Sequence, residues 1–191
     1  MTARALAAIM EARLYVSRRL IGYSCAFVVL VALLQPAGTL APLFCCTLFG
    51  IVIALDQSVG RHPHLDRCEA SAPLFGRELA RAKALVPCIA VLFAVALYAC
   101  AQLARRSPDT PLTLLVVSPA VVAATLVTLS ATMRGGWKRA LYVLLACGTA
   151  IAAYALAIAA AGIAAELAFC ALAAFLALRQ YGETLARYDP V

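Results

Sequence analysis

The sequence predicts an all-α, integral membrane helical bundle with six transmembrane helices, and three observations carry that expectation. Of 191 residues, 65% are hydrophobic and 13% charged, and the mean hydropathy is +0.94. Uncharged stretches of spanning length recur along the chain, and most of the basic residues fall in alternate connections between them. A water-soluble domain of this length leaves too large a share of its surface exposed to accommodate so many apolar side chains. Lipid is the solvent that this composition demands.

The whole chain, 1–191, reads as a single transmembrane domain. Residues 1–19 hold Arg4, Glu11, Arg13, Arg18 and Arg19 before any apolar run, with no small-residue cleavage site soon after. That is unlike a cleaved signal peptide. Arg4, Glu11 and Arg18 share one side of a helix while Leu6, Met10, Leu14 and Ile21 follow another, which predicts an amphipathic N-terminal helix on the membrane surface.

A span needs about 20 apolar residues, fewer where flanking basic side chains snorkel. Leu20 to Leu55 is free of charge and is interrupted by Gln35-Pro36-Ala37-Gly38-Thr39, turn chemistry that makes a hairpin of two short spans. Residues 56–83 follow as the longest polar loop. Ala84 to Ala104 is the third span, and Thr110 to Met133 the fourth, with a kink expected at Pro119. Ala140 to Leu178, whose one charge is Glu166, is too long for a single helix and predicts two, turning near Ala161-Gly162.

With the N-terminus placed in the cytoplasm, the inner segments collect Arg4, Arg13, Arg18, Arg19, Arg61, Arg67, Arg77, Arg81, Lys83, Arg134, Lys138, Arg139, Arg179 and Arg187, leaving Arg105 and Arg106 outside. The positive-inside rule then predicts a multi-pass protein of a bacterial-type inner membrane with both termini cytoplasmic. The net charge of +7 flanks apolar spans instead of forming a basic, aromatic-bearing polar face. The expected partner is therefore the lipid membrane, anionic lipid in particular, and no nucleic acid.

The eight cysteines include no CxxC pair and no Cys/His metal spacing, so they read as small packing residues, with Cys45-Cys46 the one adjacent pair. His62 and His64 flank Pro63 without a third ligand, so no metal is expected, and no cofactor. Paired carboxylates, a serine nucleophile elbow and a phosphate-cradling glycine loop are all missing from the sequence, so an enzyme is not expected.

The 56–83 loop is longer than a connector requires. Asp66, Arg67, Glu69, Pro73, Leu74, Phe75, Arg77, Glu78 and Arg81 mix both signs of charge with apolar residues, a composition suited to a short helix, around 69–79, that docks on a protein. The alternative is a helix lying on lipid with solvated charges.

With an acidic residue, a following proline and a lysine opening the third span, at Glu69, Pro73 and Lys83, this loop resembles the first cytoplasmic loop of ABC-2-type transporter membrane subunits. The N-terminal helix, six spans and cytoplasmic termini agree with that family over nearly the whole chain. Within it, the loop and the stretch Leu129 to Leu141, with its Arg134-Gly135-Gly136 turn, are similar to the small heme-exporter membrane subunit of cytochrome c maturation. Asp66-Arg67 stands where that subfamily has an Asp-Gly pair, and the fifth-to-sixth connection is too short for re-entrant half-helices.

The resemblance implies a permease subunit that couples ATP hydrolysis by a separate ATP-binding cassette ATPase to export, of heme in the sharper reading. It also implies a homodimer or a second membrane subunit. Asp66, Arg67, Glu69, Arg77, Glu78 and Arg81 would orient the docked loop helix, with Leu74 and Phe75 as its buried anchor. Ser118, Thr125, Thr128 and Thr132 fall at helical spacing and are candidates for a translocation path together with Glu166. Interhelical packing is the alternative for the hydroxyls, and an interfacial carboxylate the alternative for Glu166. A non-transporting membrane scaffold and a small membrane enzyme are the other readings.

Overall fold

The computed structural model describes residues 2–34, 40–58, 61–70, 76–105, 110–133, 137–159 and 162–186. Among these residues all regular structure is helical: α1 (Thr2–Leu34), α2 (Leu40–Asp56), α3 (Pro63–Ala70), α4 (Gly76–Ala104), α5 (Thr110–Ala131), α6 (Trp137–Ile158) and α7 (Gly162–Ala186). Five of them, α1, α4, α5, α6 and α7, are long and apolar enough to cross a membrane, and α2 is a shorter apolar helix of 17 residues. The molecule is a helical membrane bundle, and its apolar helices occupy the stretches expected of the six spans.

The boundaries differ in two instructive places. The amphipathic N-terminal segment is helical, but it continues without a break into the first span. No proline interrupts it, and at 1.5 Å per residue α1 is about 50 Å long against about 30 Å of hydrocarbon, so it reaches well past the apolar layer. The loop helix, expected near 69–79, lies earlier at Pro63–Ala70, and residues 76–83 form the opening turns of α4 instead. Proline at the first position of α3 is well placed, because its missing N–H has no partner to lose there.

Consecutive helices α1 and α2, α4 and α5, α5 and α6, and α6 and α7 pack on one another across short connections and run antiparallel. Helices α2 and α4 both border α3, so α1, α4 and α6 start at the α3 end and α2, α5 and α7 finish there. Arg105 stands at the opposite end, where its Nη1 donates to the Ala32 carbonyl at 3.0 Å. That carbonyl belongs to the last turn of α1, where intrahelical donors are lacking and a cation is favoured.

Helix α5 is the hub, in contact with α2, α4, α6 and α7, while α1 packs outside on α4 and α2. Val117, Ala120, Val121, Ala124 and Leu129 of α5 are wholly enclosed. The outer helices turn large apolar side chains outward, among them Phe27, Leu34, Phe44, Phe93, Leu144 and Phe175, as a lipid-facing surface requires. Tyr15 and Trp137 are exposed toward the α3 end, in the manner of interfacial aromatics, and Arg18 lies 3.9 Å over the Tyr15 ring.

Small residues set how closely α2 approaches the hub. Cys46, Gly50 and Ala54 follow one another at four-residue intervals and are all buried, the pattern that lets membrane helices come near. A Cβ added at Gly50 would run into the Thr125 Oγ1 and meet Val91 Cγ2 at 3.0 Å. Gly50→Ala is therefore expected to destabilise the bundle by about 1–3 kcal/mol through overpacking. Adding Thr125→Ala, which removes the nearest atom, should recover part of that loss, as measured by equilibrium unfolding in mixed detergent–SDS micelles.

Candidate functional site

The polar residues that the fold brings together lie at the α3 end. On α1, Arg13 falls on the face that carries Leu6 and Met10 and away from the Arg4, Glu11 and Arg18 face, so it is a cation set into an apolar stripe. It is 1% exposed. Its Nε donates to Glu69 Oε1 at 2.6 Å and its Nη2 to Glu69 Oε2 at 2.7 Å, a two-pronged contact that only a guanidinium makes. The same Nη2 reaches Asp66 Oδ1 at 2.5 Å. Asp66 and Glu69 are three residues apart on α3 and so share the face that meets α1.

Lys83, near the start of α4, completes the group, with Nζ at 2.7 Å from Glu69 Oε2 and 3.3 Å from Asp66 Oδ1. Two cations thus meet two carboxylates, and the group is neutral as a whole. Tyr181 of α7, fully buried, is within electrostatic range of Arg13, Asp66 and Glu69. Its hydroxyl and the Arg13 Nη1 have no hydrogen-bond partner among the described residues.

A second set of bonds holds the other border of the loop. Ser17, one turn beyond Arg13, donates to Asp56 Oδ2 at 2.5 Å and accepts from Gln57 Nε2 at 2.9 Å. His62 Nε2 lies 3.3 Å from Asp56 Oδ1. One face of α1 therefore bonds to the end of α2 and to the inward face of α3, whose carboxylates also hold Lys83 at the start of α4.

The loop residues singled out from the sequence divide accordingly. Asp66 and Glu69 point inward, into the bundle. Arg67 is exposed on the opposite face of α3 with His64 and Cys68. Pro73, Leu74 and Phe75 lie outside the described residues, as does the Arg134-Gly135-Gly136 turn. Arg77 belongs to the first turn of α4, its side chain outside the described set. Glu78 is half-buried, and its Oε2 has no partner among the described residues. Arg81 is exposed on α4.

The hydroxyls of the candidate path residues are satisfied by backbone carbonyls three or four residues back. Ser118, Thr125 and Thr128 donate to the carbonyls four residues back, Leu114, Val121 and Ala124, and Thr132 to Leu129. Such bonds satisfy a hydroxyl inside its own helix and leave its methyl or methylene group to pack. Thr125 sits against Gly50. Glu166, one turn into α7 from Gly162, is fully enclosed instead of reaching the interface, and neither of its oxygens has a partner among the described residues. A crevice of about 280 Å³ between α5, α6 and α7 is lined by Ser130, Thr149 and the hydrogen-bonded pair Tyr142 and Gln180, none of them a predicted path residue.

No disulfide joins any of the eight cysteines, and no group of three or more His, Cys, Asp or Glu side chains that could hold a metal occurs among the described residues. Compared with known proteins, the chain matches no family model, and no curated protein or solved structure shows significant similarity to it.

Arg13, Ser17 and Gln57 escape a reading based on spans and loops. The signal for Arg13 was its place on the apolar stripe, where a charge is costly unless a partner of opposite sign waits inside. Removing one member of a buried ionic group strands the others. Glu69→Gln and Arg13→Gln are each expected to lower stability by about 3–5 kcal/mol. The doubly neutralised Arg13→Met/Glu69→Met chain, which restores charge balance, should lose less than the two single changes added together. Arg179→Gln, which breaks an exposed pair with Glu183, should cost about 0.5 kcal/mol or less in the same unfolding titration.

Proposed function

We propose that this chain is the membrane-spanning subunit of an ABC-2-type exporter, receiving work through α3 from a separate ATP-binding cassette subunit. The observation that carries the reading is the way α3 is held. It is a short helix between the second and third apolar helices, pinned to α1 and α4 by an enclosed, charge-balanced cluster. A helix that passes motion from a soluble motor to membrane helices must be joined rigidly to them, since a loosely tethered one would absorb the movement. Helices α1 and α4 reach α2, α5 and α7, so displacement of α3 has a packed route into the bundle.

In this reading the roles of the loop residues separate. Asp66, Glu69 and Lys83, with Arg13, position α3, and its outward face, with Arg67 and His64, meets the partner. Leu74 and Phe75 remain the candidate apolar anchor from sequence, following Pro73. The α3 end is then the cytoplasmic side of a bacterial-type inner membrane, which agrees with the basic residues gathered there, and both termini are cytoplasmic. Transport calls for a homodimer or a second membrane subunit. Export of heme, or a part in cytochrome c assembly, is the finer reading and rests on the loop and the Leu129 to Leu141 stretch.

The test is purification of the tagged protein from its native membrane in mild detergent, with identification of what remains attached. An ATP-binding cassette ATPase should be retained, and a photoreactive group placed on the exposed Cys68 of α3 should crosslink to it, while the same group on Cys100, exposed toward the lipid side of α4, should not. Arg67→Glu should reduce retention at least five-fold without altering stability. If no ATPase is retained under conditions that preserve a control transporter, the exporter reading fails and a non-transporting scaffold takes its place.

A further inference from the structure

At the α3 end, on the side of α7 away from the α5–α6 crevice, α4 and α7 enclose a groove of about 450 Å³ lined by Ala80, Arg81, Phe175, Leu178, Arg179, Gly182 and Glu183. Its two halves differ in chemistry. Arg81, Arg179 and Glu183 border the part nearest the helix ends, while Phe175 and Leu178 line the part toward the middle of the bundle. Gly182 is buried and presents no side chain to the groove. Arg179 donates to Glu183 through Nε at 2.9 Å, and no other hydrogen bond of its guanidinium occurs among the described residues. Arg81 makes no ion pair among the described residues.

From this layout we infer that the α4–α7 groove binds an anionic phospholipid, its phosphate held between Arg81 and Arg179 and an acyl chain laid along Phe175 and Leu178. Two guanidiniums against one carboxylate leave a net positive site, and paired arginines suit the oxygens of a phosphate. The depth profile argues for a lipid over a free anion, because basic groups at the helix ends give way to apolar side chains toward the bundle centre, as a headgroup gives way to its chain. The inference depends on the membrane architecture alone and not on the exporter reading. Arg81, expected from sequence to meet a protein, belongs to this groove.

The test uses the full-length protein in nanodiscs of phosphatidylcholine containing one-tenth phosphatidylglycerol, transferred to detergent and examined for retained lipid by native mass spectrometry. Wild type should keep phosphatidylglycerol in preference to phosphatidylcholine. The Arg81→Gln/Arg179→Gln chain should retain at least five-fold less, and an Arg61→Gln/Arg67→Gln chain, which removes two exposed arginines elsewhere, should behave as wild type. Unfolding of the groove variant in pure phosphatidylcholine should match wild type, showing that the bundle is intact. Equal retention by the groove variant, no preference for the anionic lipid, or complete displacement by millimolar inorganic phosphate would each overturn the proposal, the last by showing that the site takes a free anion.

Discussion

Burying the Arg13 guanidinium is the constraint on which the arrangement of the α3 end depends. A cation enclosed at 1% exposure is tolerated only when carboxylates meet it in close geometry, and α3 supplies two of them. Two carboxylates then need a second cation, which Lys83 provides from α4. The requirement of charge balance thus ties α3 to α1 and α4 although it shares little apolar surface with them, since α3 is short and polar and offers few side chains for packing. Apolar burial organises the rest of the bundle, whereas here electrostatics decides which helix face meets which.

The same constraint explains why α1 is continuous. A surface helix would place its charged face in water and its apolar face in lipid, with a bend where the first span enters the bilayer. Because Arg13 and Ser17 both engage residues from the loop between α2 and α4, the N-terminal half is drawn along the protein and stays collinear with the span. The loop in turn is held by α1 at Asp56 and Gln57 and, through Arg13, at α3. This fixes α3 to the bundle end.

At the hub a different rule operates. Helix α5 and the residue after it carry Thr125, Thr128, Ser130 and Thr132 in an enclosed setting, yet each hydroxyl donates to a carbonyl of α5. Where water is excluded, a donor closes on the nearest acceptor, and in a helix that is the carbonyl three or four residues back. Polar residues on a membrane helix therefore need not mark a polar path. Glu166 is the contrast, since a carboxylate has no such internal donor to turn to and stays without a partner among the described residues.

Helical class, membrane residence and the places of the apolar helices were legible in the sequence by itself, because they depend on local properties: the length of an uncharged run, the glycine turn at Gly162 and the spacing of charges; the turn expected at 35–39 lies outside the described residues. Gly162, with φ of +69°, occupies a backbone conformation that favours glycine, and a glycine there is visible in one dimension. The partners of Arg13 were not legible, since Glu69 lies 56 positions away and no period connects them. Nor was the inward turn of Asp66 and Glu69, the closure of the α5 hydroxyls, or the contact of Gly50 with Thr125. Those depend on which helix faces meet, and that choice is made only when all the helices pack together and each buried charge must find its counter-charge in space.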